Sequence, residues 1–125
     1  MTLTATQIRC LLAILSLSRM DAAVASKDVA KLLGVSRPSV HKMLDILAQR
    51  GLLCKEHYGA ARLSEEGTKL AEALERQKEK LVLLFSQNLG LPLDEGNVAA
   101  TLWMSALRED TLQSLESLTD RRCAP

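Results

Sequence analysis

Aromatic residues are scarce in this chain: Tyr58, Phe85 and Trp103 are the only three among 125 residues, against 25 leucines. Proteins that bind single-stranded nucleic acids on an OB-fold or an RNA-recognition sheet stack the bases on several aromatic side chains. The shortage excludes a stacking platform of that kind. A core rich in leucine instead favours helices, because leucine loses little side-chain freedom in a helix.

Long apolar runs are also absent. Short apolar stretches such as Leu81–Phe85 stay far below the ~18 residues that a membrane span needs. The first residues contain no basic stretch, and Arg9 and Cys10 interrupt the apolar residues that follow. We therefore expect no membrane span and no signal peptide, and we expect the protein to lie in the cytoplasm.

Cysteine and histidine are too few and too scattered for a disulfide framework or a structural zinc site. Cys10, Cys54 and Cys123 are widely spaced, and His41 and His57 lie on different predicted elements. We expect Cys10 and Cys54 to be small buried hydrophobic residues, whereas Cys123 beside two arginines leaves a redox-sensitive thiol open as an alternative. No catalytic motif is present, so the chain is not predicted to be an enzyme.

The net charge of +1 conceals an uneven distribution of charge along the chain. Residues 26–62 hold seven basic and three acidic residues, a net charge of +4, whereas residues 63–125 hold seven basic and eleven acidic residues, a net charge of −4. A basic segment followed by an acidic, leucine-rich one is typical of a nucleic-acid reader joined to an association element.

Apolar spacing predicts an amphipathic helix over residues 4–17, followed by a loop over residues 16–23. The apolar stripe of this helix consists of Ile8, Leu11, Leu12 and Leu15. Ser26 is expected to cap a second helix, which Gly34 ends. The inner face of that helix is predicted to hold Val29, Ala30, Leu32 and Leu33.

A third helix is predicted directly afterwards, with Ser36 as its N-cap and Pro38 in its first turn. Gly51 closes it. Its inward side chains are predicted to be Val40, Met43, Leu44 and Leu47. Two short helices joined by a turn that contains glycine form a helix-turn-helix.

A short hairpin, or wing, is predicted over residues 52–63, turning at Tyr58 and Gly59. Ser64 then caps a long helix that ends near Gly90, and a last helix is expected from Asp94 to Leu118. The predicted fold is mostly α with a small β-hairpin. It consists of a winged helix-turn-helix DNA-binding domain in residues 1–63 and a helical dimerisation region in residues 64–125.

The outward side chains at the start of the third helix are the predicted readers of double-stranded DNA. An α-helix fits the major groove, and the residues of its first turns face the base edges. Arg37 can pair with guanine through two hydrogen bonds, and Lys42 is expected to contact phosphate. The predicted DNA-binding residues are Lys27, Ser36, Arg37, Ser39, His41, Lys42, Lys55, Tyr58 and Arg62, with Lys31 and His57 beside them.

The segment Asp28–Leu44 resembles the diphtheria toxin repressor family of iron- and manganese-dependent regulators. Gly51-Leu52-Leu53, Tyr58-Gly59 and Leu63-Ser64-Glu65-Glu66-Gly67 with Ala71 resemble it too. The likeness covers about residues 5–110 and continues more weakly through residues 81–91 and 103–105. It implies a homodimer that binds a palindromic operator and whose affinity for DNA is switched by a divalent metal.

The chain departs from that family where the resemblance places the metal ligands. The first helix offers Ile8-Arg9-Cys10-Leu11, the long helix offers Gln77, Lys78 and Lys80, and the last helix offers Val98–Trp103. Mn²⁺ and Fe²⁺ require imidazole and carboxylate ligands, which these stretches lack. We therefore expect no metal or other cofactor, and a DNA-binding regulator that has lost its metal site.

Alternative functions stay open at this stage. One is a winged-helix module that binds another protein and does not read DNA, and another is a metal-dependent repressor with unrecognised ligands. An apolar effector between the long and the last helix, near Phe85, Trp103 and Met104, is a third. We favour a dimer core for those residues, and the sequence names no effector.

Overall fold

The structure is a computed structural model that describes residues 3–56 and 59–123, with side chains described as far as Leu118. These residues form six α-helices, a five-residue π-helix and three short strands. Residues 6–73 make one unit, and residues 3–5 with 74–123 make the other. Among the described residues, no helix combines the length and the apolar character that a membrane span requires.

The first helix, α1 (Ala5–Ser18), is buried on more than one side. The predicted stripe residues Ile8, Leu11 and Leu15 are buried, and so are Cys10 and Ile14 between them. The helix also ends later than the predicted start of the loop at residue 16. Burial on several sides is typical of a central helix of a small core rather than a surface helix.

A short strand that the sequence analysis did not predict, β1 (Val24–Ala25), precedes α2 (Ser26–Leu33). It changes the start of α2: Ala25 occupies the N-cap position, and Ser26 is a buried helical residue rather than the predicted cap. The end of α2 is as predicted, since Gly34 has φ 69° and its amide donates to Ala30 O at 2.9 Å. Leu32 is 56% exposed, so its predicted place on the inner face was wrong.

The third helix, α3 (Arg37–Gln49), is confirmed, with Val40, Met43, Leu44 and Leu47 all buried. The predicted hairpin consists of β2 (Leu53–Lys55) and β3 (Ala60–Leu63), and β1 adds a third antiparallel strand in the order β1-β3-β2. Cys54 pairs across the sheet with Arg62 and is exposed, which corrects its predicted burial. The reason is the two-residue alternation of a strand: Leu53 takes the inward position, so Cys54 faces outward.

The long helix, α4 (Glu65–Leu83), begins after Ser64, whose Oγ accepts from the amide of Gly67 at 3.0 Å. It continues into the π-helix Leu84–Asn88. The predicted last helix is divided into α5 (Leu93–Ala106) and α6 (Glu109–Cys123). The break falls at Leu107, whose extended backbone (φ −100°, ψ 153°) cannot continue a helix.

Candidate nucleic-acid interface

The N-terminus of α3 is an exposed cluster of hydrogen-bond donors. Ser36 is the N-cap, and its Oγ accepts from the amide of Ser39 at 3.3 Å. The hydroxyls of Ser36 and Ser39 lie 2.9 Å apart, and Arg37 follows the cap directly. All three side chains are exposed. A helix N-terminus attracts anions through its free amides and its dipole, so this end of α3 suits a DNA phosphate.

The outward face of α3 lies opposite its buried residues. Because successive helical residues turn by about 100°, the positions farthest from the buried side are Pro38, Lys42, Asp45 and Gln49. All four are exposed. Arg37 and His41 lie on one flank of this face, and both are also exposed.

Asp45 and Gln49 were missed in the sequence analysis, which looked only at the first turns of the helix. The signal that could have found them is the spacing 38, 42, 45 and 49, which complements the buried positions 40, 43, 44 and 47. Gln49 has a side chain of the kind that reads adenine, and Asp45 one of the kind that accepts from cytosine.

The wing approaches both helices of the helix-turn-helix. Gly59 has φ 75°, and a Cβ added there would lie 3.2 Å from Ser26 Oγ and 3.7 Å from His41 Cε1. The chain therefore turns tightly beside the start of α2 and the flank of α3. Tyr58 and His57, which the sequence analysis placed on the wing as donors to DNA, lie outside the described residues.

Both described basic side chains of the wing are held by carboxylates. Lys55 Nζ donates to Asp45 Oδ1 on α3, and Arg62 Nε donates to Glu56 Oε1 at 2.7 Å. The hydrogen bond to Glu56 raises the pKa of the Arg62 guanidinium, so Arg62 stays charged. Each of these two pairs has a net charge of zero, which reduces the positive potential of the wing.

The basic side chains of α2 and α3 differ from those of the wing. Lys27, Lys31, Arg37 and Lys42 are exposed, and within the described residues none of them forms an ion pair. Positive charge that no described carboxylate neutralises therefore lies on both helices of the helix-turn-helix, where phosphate contacts are expected.

The residues at the family's ligand positions do not fit a divalent metal. On α1, burial raises the pKa of the Cys10 thiol to about 11, so it is protonated at neutral pH, whereas metals bind the thiolate. On α5, the one polar side chain among residues 98–103 other than the Trp103 ring is Thr101, whose hydroxyl donates to Asn97 O at 3.1 Å. The described residues contain no cluster of three or more histidine, cysteine or acidic side chains placed to hold a metal ion.

The outer face of α5 is apolar. Val98 is 61% and Leu102 is 52% exposed, and with Leu91 and Ala99 they line a shallow depression of about 420 Å³ edged by Asp94 and Glu95. On the other side of the helix, the rings of Phe85 and Trp103 meet edge to face with their centroids 4.8 Å apart. α5 is therefore apolar on its inner and its outer side.

An exposed N-terminal helix end, a basic second and third helix and an adjoining wing define a winged helix-turn-helix DNA-binding domain. Residues 2–61 match the family model described as "Iron dependent repressor, N-terminal DNA binding domain". Residues 2–61 are thus similar to that family of DNA-binding domains, and the resemblance seen in the sequence is confirmed over them. No curated protein sequence matches the chain.

Solved structures share the fold. The manganese regulator SloR is 23% identical with a TM-score of 0.81, and the match covers 96% of this chain and 55% of the SloR chain. IdeR from T. acidophilum is 21% identical with a TM-score of 0.72, and the match covers 90% of this chain and 53% of the IdeR chain. A hypothetical protein from Sulfolobus solfataricus is 18% identical with a TM-score of 0.71, and the match covers 95% of this chain and 91% of that protein's chain. The chain spans about half the length of the first two.

Proposed function

We propose that the protein is a sequence-specific DNA-binding transcription regulator that acts as a homodimer in the cytoplasm and needs no metal. Residues 1–63 read a palindromic operator, and residues 64–125 hold the two protomers together. The observation that carries the proposal is the exposed N-terminal end of α3, where Arg37 and Lys42 form no ion pair with any described residue, in a segment that matches a DNA-binding domain.

The proposal gives each predicted DNA-binding residue a role. Arg37 reads a guanine, and Ser36 and Ser39 bind phosphate or a base edge at the helix N-terminus. Lys42 and His41 contact the duplex beside them. Lys27 and Lys31 on α2 contact the phosphate backbone, and Lys55, Tyr58 and Arg62 are the wing residues proposed to reach the adjacent groove.

The apolar outer face of α5 supports the homodimer. Contact with a second protomer would remove these apolar side chains from water. Val98 and Leu102 are more than half exposed and line the depression together with Leu91. A two-fold axis there also doubles the number of phosphate contacts, which a small single domain needs for operator affinity.

The donor set supports metal independence. Where the related metal sensors are expected to hold their ligands, this chain has a protonated buried thiol on α1 and apolar residues on α5. Isothermal titration with Mn²⁺, Fe²⁺ or Co²⁺ is expected to show no stoichiometric site. A micromolar site, or a rise in DNA affinity on adding one of these metals, would refute this part of the proposal.

The decisive experiment is selection of bound duplexes from a random pool by the full chain, with and without chelator. The expected result is one palindromic sequence under both conditions. Binding of that duplex is then followed by fluorescence anisotropy at increasing salt. Phosphate contacts by Lys27, Lys31 and Lys42 in each protomer predict a slope of log affinity against log salt of about −5 for the dimer.

One observation favours a second function, that of a winged-helix module that binds a protein. The wing bases Lys55 and Arg62 are neutralised by Asp45 and Glu56, which leaves the wing less basic than its composition suggests. Under that alternative the random pool yields no enriched duplex, and binding to an acidic protein partner changes little with salt. Enrichment of a duplex with a steep salt slope excludes it.

A further inference from the structure

Asp45 occupies a position on α3 where a DNA reader would be expected to be basic or neutral. It is the only acidic residue of α3, and it lies on the outward face between Lys42 and Gln49. Its side chain is 55% exposed. Any duplex that lies against this face meets the carboxylate as well as Lys42. A carboxylate at such a place repels phosphates, so its presence there calls for a physical reason.

The carboxylate of Asp45 is held by the wing. Lys55, at the end of β2, donates a hydrogen bond from Nζ to Asp45 Oδ1. The pair has no net charge, which reduces the repulsion between Asp45 and the DNA backbone. It also fixes the direction of the carboxylate through Oδ1, and each of the two oxygens of a carboxylate can accept hydrogen bonds.

We propose that Asp45, positioned by Lys55, determines the specificity for one base pair by accepting a hydrogen bond from an exocyclic amino group, that of cytosine N4 above all. The inference rests on the proposed function as a DNA reader. An ionised carboxylate only accepts hydrogen bonds. In the major groove it therefore matches the amino donor of cytosine and rejects the acceptors O6 and N7 of guanine and O4 of thymine.

The wing contains a second ion pair that serves as a matched control. Glu56 and Arg62 form a carboxylate–cation pair of similar exposure, but neither residue lies on α3. Glu56→Ala changes the net charge by the same amount as Asp45→Ala and releases a wing cation in the same way. The two variants differ only in whether the lost carboxylate stood on the outward face of α3.

The test is duplex selection from a random pool by the full-length wild type, Asp45→Ala, Lys55→Met, Lys55→Arg and Glu56→Ala. Each protein is then titrated by fluorescence anisotropy with the wild-type duplex and its variants at every position. Circular dichroism melting confirms that the variants are folded, which is expected because all of these side chains are exposed.

In Asp45→Ala, the ratio of affinities for the preferred and the substituted base pair is expected to fall about tenfold at one cytosine–guanine pair in each half-site. The preferences at all other positions are expected to stay unchanged. Lys55→Met is expected to weaken discrimination at the same pair, and Lys55→Arg to restore it. Glu56→Ala is expected to bind every duplex more tightly with unchanged preferences.

Two results would overturn the inference, and they are distinguishable. If Asp45→Ala behaves as Glu56→Ala does, with higher affinity for all duplexes and an unaltered selected sequence, Asp45 acts only through its charge and the proposed function still stands. If the wild type itself enriches no duplex, the proposed function fails and this inference fails with it.

Discussion

Gly67, in the first turn of α4, is the glycine at which an added methyl group is expected to lower the free energy of unfolding most. A Cβ added there would lie 1.9 Å from Leu52 O and 2.8 Å from Leu52 C. Real Cβ atoms essentially never come within 3.0 Å of such a neighbour. The nearest atoms belong to the backbone, so no side chain can rotate away to relieve the contact.

The close approach is fixed by hydrogen bonds on both sides. The amide of Ser64 donates to Leu52 O at 3.0 Å, Ser64 Oγ donates to Gly51 O at 2.6 Å, and the amide of Gly67 donates to Ser64 Oγ at 3.0 Å. Gly67→Ala must separate α4 from the start of the wing by more than an ångström and weaken these bonds. Overpacking costs about 1–3 kcal/mol, and a clash with backbone belongs at the upper end of that range or above it.

The assay is urea unfolding followed by circular dichroism, together with thermal unfolding. We expect Gly67→Ala to lower the free energy of unfolding by about 3 kcal/mol or more and the midpoint temperature by about 10 °C. Gly96→Ala is the control: its Cβ would stand 3.7 Å or more from Phe85 and Val82, and alanine favours the helix by about 0.5–1 kcal/mol. A Gly67→Ala protein within about 0.5 kcal/mol of the wild type would refute the argument.

Three further predictions concern binding, assembly and pH. Arg37→Ala is expected to weaken binding to the selected duplex by about 1–3 kcal/mol and to relax one base pair, whereas Lys42→Ala weakens all duplexes alike in anisotropy titrations. Binding like the wild type by both variants would show that α3 is not the reader. Leu102→Glu is expected to convert dimer to monomer in sedimentation equilibrium with little change in melting temperature, and an unchanged mass would place the interface elsewhere. Burial raises the pKa of the Cys10 thiol from 9.0 to about 11, so above pH 9 the unfolded chain loses a proton that the folded protein keeps. Stability is therefore expected to be independent of this thiol below pH 9 and to fall by about 2 kcal/mol between pH 9 and 11. Urea titrations of wild type and Cys10→Ala over that range measure the difference, and parallel curves would contradict it.

Local signals predicted most of the elements. Ser36 as a cap, Gly34 in a left-handed turn and the inward spacing of Val40, Leu44 and Leu47 act within a few residues, so the helix-turn-helix could be found without tertiary information. The break of the last helix at Leu107 has no such signal, since neither glycine nor proline marks it.

The candidate site was predicted in its residue types and only partly in its arrangement. Arg37, Ser39, His41 and Lys42 are exposed at the start of α3 as expected. The pairing of Lys55 with Asp45 joins residues ten positions apart on different elements, and no local spacing announces it. From composition alone, Lys55 was expected to be a wing base without an acidic partner.

The scarcity of aromatic residues, the leucine-rich helical spacing and the division of charge are properties of the chain itself, so the sequence alone determined the winged helix-turn-helix. The strand Val24–Ala25, the exposure of Cys54 and the two ion pairs of the wing were decided only by the tertiary structure. The physical reason is range: caps and helical stripes depend on neighbours within a turn. Strand pairing and ion pairs depend on which distant segments the fold brings together.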